Sequence, residues 1–304
     1  MNSREYFAYI SCDTGLFYPL EGKYSILKYT LEPCKNWERN QHRGVSNFTI
    51  GFPFNGLPEK DPTNSEEDQN YFKNHQTAID EALLFVAWLS VATRKSLRLS
   101  HVDFGDVQNF GPSSHEPIEE INRDLMVKAH RIIENAVEGT YEKVERPMYE
   151  SYIDSEHSLR IPHDFPSLSK KLFSLPSEKR EMFFDSCLSY QFALLNMGTI
   201  PSVSLVALVN VVESLMREEK KSVMKKFRKF FEDNLQDPLP IEKRKFLDAV
   251  YSSRSNFVHK ALLGSGPFRG PIYMGIGRGR ELKDQLSEFK ALVNACMINW
   301  LIRL

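Results

Sequence analysis

The strongest constraint on what this chain can fold into is a change in hydrophobic periodicity along it. In about the first 60 residues, Tyr6–Ser11, Tyr24–Leu31 and Asn47–Phe52 are aromatic and β-branched, with Gly, Pro and Asn clusters between them. That pattern predicts strands. Beyond Ser177 the apolar residues recur at helical spacing almost throughout. A helix-period pattern and a strand-period pattern cannot share one continuous layer, so the chain is expected to form an α+β N-terminal domain followed by an all-α helical bundle. Its 304 residues allow both.

Within the first part, Ile79, Leu83, Val86 and Leu89 predict a helix over Asn74–Lys95. The acidic segment Glu59–Gln69 reads as a loop, Leu97–Phe104 as a strand, and Pro117–Val137 as a second helix with Ser114 at its N-cap and Gly139 as its stop. Residues 140–175 are turn-rich, with Pro147, Pro162 and Pro166, and the domain boundary is expected near 165–176. This gives a mixed domain over 1–165 and a bundle over 177–304.

In the second part, Pro176-Ser177-Glu178 begins a helix that should run to Asn196. Pro201 then sits where a first helical turn tolerates it. The helix that follows shows a broad apolar face of Leu205, Leu208, Val209, Val212, Leu215 and Met216. The basic run Arg217–Lys229 continues or restarts it, and Pro238 and Pro240 break it. Helices are expected over Ile241–Leu263 and Glu281–Arg303, with a glycine-rich loop between them. That loop lacks the preceding strand and the Lys-Ser/Thr of a P-loop. Four or five helices joined by short links make a bundle.

The segment FLDAVYSSRSNFVHKALLG carries the candidate chemistry. Phe246, Val250, Phe257 and Ala261 share one helical face, and Arg254 falls in the middle of it. An Arg in an apolar seam needs a partner or an interface, because it cannot be deprotonated. Glu213, on the preceding apolar helix, either pairs with it across the bundle or faces solvent. His259 is five positions on, about 140° around an ideal helix, so the two side chains converge only if the helix is distorted or both line a wider cleft. Ser255 and Asn256 stand on the more polar side with His259, where they could support a site.

Arg254 followed by His259 late in a helical bundle resembles the signature of the HEPN superfamily. The wording RSNFVH, preceded by Tyr251, is similar to the Apea-like HEPN group of bacterial proteins. Lys260 stands where that group commonly has Gly. Ala261 stands where some HEPN toxins, paired with nucleotidyltransferases, carry Tyr. The resemblance implies RNA as the partner and a metal-independent endoribonuclease, a toxin or anti-phage defence effector, with Arg254 and His259 as its catalytic pair. The alternative it leaves is a non-catalytic module that binds RNA, nucleotide or protein and mediates dimerisation.

The residue types suit RNA cleavage. The ribose 2′-hydroxyl is the nucleophile. Histidine can take or give a proton near neutral pH, and a guanidinium fork matches phosphate oxygens. One motif His cannot act as base and acid in a single step, so a homodimer through the C-terminal bundle is expected to complete the site.

Other features narrow the classes. A net charge of −1 supplies no global field toward nucleic acid or membrane. Neither the eight histidines nor the four cysteines show metal-ligand spacing, so no metal or cofactor is expected. The scattered cysteines read as reduced, buried thiols. The longest apolar stretch, Ala82–Ala92, is about half a membrane span. With no signal-peptide pattern at the N-terminus, a cytoplasmic protein is expected.

Overall fold

The computed structural model describes residues 6–13, 20, 22–33, 48–54, 65–99, 108–110, 159, 161–198, 200–216, 223–235, 239–260 and 276–304. The chain divides into two compact units. One comprises residues 1–89, 97–143 and 156–166, the other residues 90–96, 144–155 and 167–304.

The first unit is α+β. Its sheet contains β1 (Tyr6–Asp13), β2 (Tyr24–Ile26), β3 (Tyr29–Pro33), β4 (Phe48–Phe54), β5 (Arg98–Leu99) and β6 (Gln108–Phe110). The antiparallel order is β2-β3-β4-β1-β5, with β6 also on β1. In β4 the period of two is visible in the burial: Phe48, Ile50 and Phe52 are fully buried, while Thr49 and Pro53 are half-exposed. Helix α1 (Ser65–Thr93) supplies Ala78, Ala82 and Phe85 to the core. Phe85 stacks on Tyr29 with ring centroids 3.9 Å apart. Tyr29 donates a 2.9 Å hydrogen bond to Glu81 Oε1. Burial, then the charge of Glu81, then that hydrogen bond hold the phenol far above its ordinary value.

Two expectations change here. The segment read as one strand over Tyr24–Leu31 is a hairpin, with Ile26 opposite Tyr29 and a two-residue turn at Leu27-Lys28. Leu27 has φ 56° and is half-exposed. That left-handed turn position normally selects Gly or Asn, which is why the residues did not announce it. The end of the expected loop Glu59–Gln69 also differs, because α1 begins at Ser65 and includes residues 65–69. The expected helix Pro117–Val137 and most of the expected strand Leu97–Phe104 lie outside the described residues.

The second unit is all-helical in its described residues. It contains α2 (Phe165–Ser174) from residue 167 on, α3 (Ser177–Asn196), α4 (Pro201–Leu215), α5 (Val223–Asn234), α6 (Ile241–Lys260) and α7 (Ile276–Arg303). Helix α3 starts after Pro176, and Pro201 opens α4. Helix α2 falls in what the prolines suggested was a boundary. Pro166 occupies its first turn, where no helical hydrogen bond is lost, and Leu168, Leu172 and Leu175 bury one stripe. Helix α7 begins five residues earlier than expected, so the last residues of the glycine-rich segment are helical.

Helices α3 and α4 are pinned by serine hydroxyls. Ser186 Oγ shares its one proton between Met182 O at 2.9 Å and Val211 O at 3.1 Å, and Ser204 Oγ donates to Ala193 O at 2.8 Å. Helix α7 packs against α4 and α5 and is buried almost all round from Leu292 to Ile298. Within that run Asn294 is fully buried. It donates to Val91 O at 2.7 Å and accepts from Arg94 Nε at 3.0 Å, closing the end of α1, where Arg94 takes φ 58°. Cys187 and Cys296 are buried, and burial raises both thiols; Arg303 opposes this weakly at Cys296.

Among the described residues no helix is long and apolar enough to cross a membrane. Replacing Asn294 with Ala should cost about 3 kcal/mol, because it strands a buried carbonyl and removes two hydrogen bonds. Denaturant unfolding of the full chain measures it, and a cost below about 1 kcal/mol would show that water reaches this site.

Candidate functional site

The site is built on two helices of the second unit. Helix α4 buries Leu205, Leu208, Val209, Val212 and Leu215, which leaves Glu213 on its half-exposed flank. Helix α6 packs against α4 and buries Leu247, Val250 and Ser253. The buried stripe is therefore rotated from the expected one. Phe246 is half-buried against Phe289 with centroids 6.4 Å apart, and Arg254 borders the stripe instead of sitting in its centre.

That border position brings Arg254 to Glu213. Nη2 lies 2.8 Å from Glu213 Oε2, with side chains 19% and 26% exposed. Of the two readings of Glu213, the structure shows the pairing. Tyr251, one helical turn before Arg254, donates its hydroxyl to the other carboxylate oxygen, Oε1, at 3.2 Å. Its ring packs on Phe227 of α5, with centroids 5.0 Å apart. Arg254 Nε is buried and has no hydrogen-bond partner among the described residues.

Tyr251 is the member of this cluster that reading for chemistry missed. The signal was present: Tyr251 and Arg254 are spaced i, i+3, so they are neighbours on one helix face. Burial first, then the Glu213 charge and the hydrogen bond to it, raise the phenol above its ordinary value of 10.0; Arg254 pulls it the other way. At neutral pH Tyr251 is a proton-bearing donor and Glu213 is its acceptor.

His259, Asn256 and Ser255 belong to α6, which continues unbroken to Lys260. Their side chains lie outside the described residues. An unbroken helix preserves the separation of about 140° and about 7.5 Å of rise between Arg254 and His259. The unbroken helix does not supply the distortion that direct convergence would need.

Two cations of the basic run are paired with carboxylates. Arg228 pairs with Asp248 at 3.2 Å and Lys229 with Asp233 at 2.8 Å. Helices α3 and α4 border an open, mainly apolar groove of about 490 Å³, lined by Leu188, Phe192, Leu195, Val203, Val206 and Asn210. Glu213 follows Val206 by seven residues, so the wall of the groove leads along α4 to the carboxylate.

No protein-family model, curated protein or solved structure matches this chain.

The raised phenol has a measurable consequence. The ultraviolet phenolate signal lost in Tyr251→Phe should titrate above 10.0. In Glu213→Gln it should move down but stay raised, since burial is the largest cause. An unchanged midpoint in Glu213→Gln would show that the two side chains do not meet in solution.

Proposed function

We propose that the chain is a metal-independent endoribonuclease of HEPN type, acting as a toxin or anti-phage defence effector. The observation that carries this reading is the held guanidinium of Arg254, on the same helix as His259 and late in a unit that is all-helical in its described residues. In this reading the RNA 2′-oxygen attacks the adjacent phosphorus and the 5′-oxygen leaves, giving a 2′,3′-cyclic phosphate. His259 moves a proton, and Arg254 binds the phosphate oxygens as charge builds on them. Glu213 orients Arg254. Asn256 and Ser255, on the following turn, support the substrate or His259.

A second reading, a non-catalytic HEPN module that binds RNA, nucleotide or protein, draws on the same ion pair. A guanidinium already neutralised by Glu213 stabilises a developing charge less than a bare one.

His259→Ala should abolish cleavage of a mixed RNA pool while the protein stays folded, and the wild-type reaction should survive EDTA. Full activity in folded His259→Ala removes the catalytic assignment, and strict dependence on Mg²⁺ removes the mechanism. Arg254→Ala should also abolish cleavage, with a stability loss of about 1–3 kcal/mol because Glu213 loses its counter-charge.

The reaction needs two proton-transfer roles, and the motif supplies one His per chain. The active species is therefore a homodimer through the bundle, about twice the 35.2 kDa chain mass by light scattering. A mixed dimer with one His259→Ala subunit should lose most of its activity; retention of half or more excludes a composite site.

A further inference from the structure

An arginine facing a carboxylate ordinarily closes a fork, with two parallel N–H donors on two oxygens. Here the contact is single. Glu213 Oε2 receives Arg254 Nη2, and Oε1 is taken by the hydroxyl of Tyr251. We propose that Tyr251 is a positioning residue for Arg254: by occupying Glu213 Oε1 it limits the ion pair to one point and keeps the outer Nη donors of the guanidinium available for a phosphate. This inference rests on the phosphate role proposed above.

The geometry supplies each step. Tyr251 and Arg254 are separated by about 60° and about 4.5 Å of rise on α6, so one carboxylate reaching over from α4 can receive both. Glu213 is a long side chain on a half-exposed flank, and one contact would leave its carboxylate free to turn. A second donor on the other oxygen fixes the plane of the group. The phenol is itself held, because its ring rests on Phe227, which is fully buried. Burial and the adjacent carboxylate keep the hydroxyl protonated, so it serves as a donor throughout the neutral range. Arg254 Nε makes no hydrogen bond to Glu213 either, so the fork is not closed through it; that nitrogen is buried and is not itself a donor for phosphate.

Tyr251→Phe keeps the ring on Phe227 and deletes only the donor. Glu213 Oε1 then becomes free to close the fork, and Arg254 is withdrawn from phosphate. The full chain, as wild type, Tyr251→Phe, Glu213→Gln and the double variant, would be titrated with a 2′-O-methyl oligoribonucleotide at several salt concentrations. This probe keeps the phosphates but blocks the attacking oxygen.

Tyr251→Phe should bind about tenfold more weakly, the scale of one lost charge-assisted contact. Its logarithmic salt slope should fall by about 0.7, the value for one phosphate contact on a single strand. In the Glu213→Gln background the same change should have no further effect, because there is no carboxylate left to close on Arg254. A hydroxyl that only adds stability would leave the salt slope where it was. An unchanged affinity and slope in Tyr251→Phe, or an equal loss in both backgrounds, overturns the proposal.

Cleavage of unmodified RNA is measured in parallel. Wild-type binding without cleavage refutes the ribonuclease reading and leaves Tyr251 to be judged by the binding cycle. No wild-type binding refutes both.

Discussion

Helix α4 is apolar around most of its circumference, and a helix of that kind must be enclosed. Its leucines and Val209, Val211 and Val212 are covered by α3, α6 and α7, with a few contacts from α5. Fully burying an aliphatic side chain of this size gains about 1.5–3 kcal/mol. The buried run from Leu205 to Leu215 is therefore the largest single reason for these helices to gather where they do. The serines at its crossing with α3 fit the same logic. A small hydroxyl allows close approach, and each donates to a backbone carbonyl, so no buried donor is wasted. What α4 leaves wet is one narrow flank, and Glu213 is on it.

The position of the candidate site follows from that enclosure. Helix α6 must turn Leu247 and Val250 toward the bundle, and this rotation carries Tyr251 and Arg254 to the rim facing α4. A half-buried guanidinium without a counter-charge would be costly, and Glu213 supplies one at 2.8 Å. The net gain from such a pair is small, since desolvation offsets most of the attraction. Its physical significance is geometric: an Arg side chain with many rotamers is held at one point in a half-solvated setting. The exposed pairs of α5, such as Lys229 with Asp233, lie far more in water and contribute little to either stability or position.

How much of this was legible in the residues varies with the signal each element carries. The broad division into a strand-bearing part and a helical part was readable, because periods of two and of 3.6 differ over many residues. Helix α3 was readable from Pro176-Ser177-Glu178, and α4 from Pro201. Helix α2 was obscured by Pro166, which looks like punctuation unless it is placed at a first turn. The β2–β3 turn was hidden because Leu27 adopts a conformation that its side chain disfavours. Arg254 and Glu213 could be named from sequence as possible partners, but their pairing depends on the rotation of α6. A stripe drawn through Phe246 and Val250 puts Arg254 at its centre, whereas burial through Leu247, Val250 and Ser253 puts it at the edge. Tyr251 was legible as a neighbour of Arg254 yet not as a donor, since nothing in the chain marks the acceptor it would meet.

The pairing also changes which argument supports a second subunit. From sequence, an arginine in an apolar seam seemed to call for a partner surface. With Glu213 in place the charge is met inside the chain, so the energetic argument for an interface at Arg254 no longer stands. Under the ribonuclease reading proposed above, the remaining argument is one of roles. Transesterification of RNA needs a base and an acid acting on opposite sides of the phosphorus, and the motif holds a single histidine. Tyr251 does not fill the gap: burial and the nearby carboxylate keep its proton on at neutral pH, and that proton is already given to Glu213 Oε1. A twofold axis beside α6 would bring in a second His259 without requiring either arginine to leave its carboxylate. In such an arrangement each Glu213 holds its own Arg254 in place, and the interface contributes the second histidine rather than a counter-charge.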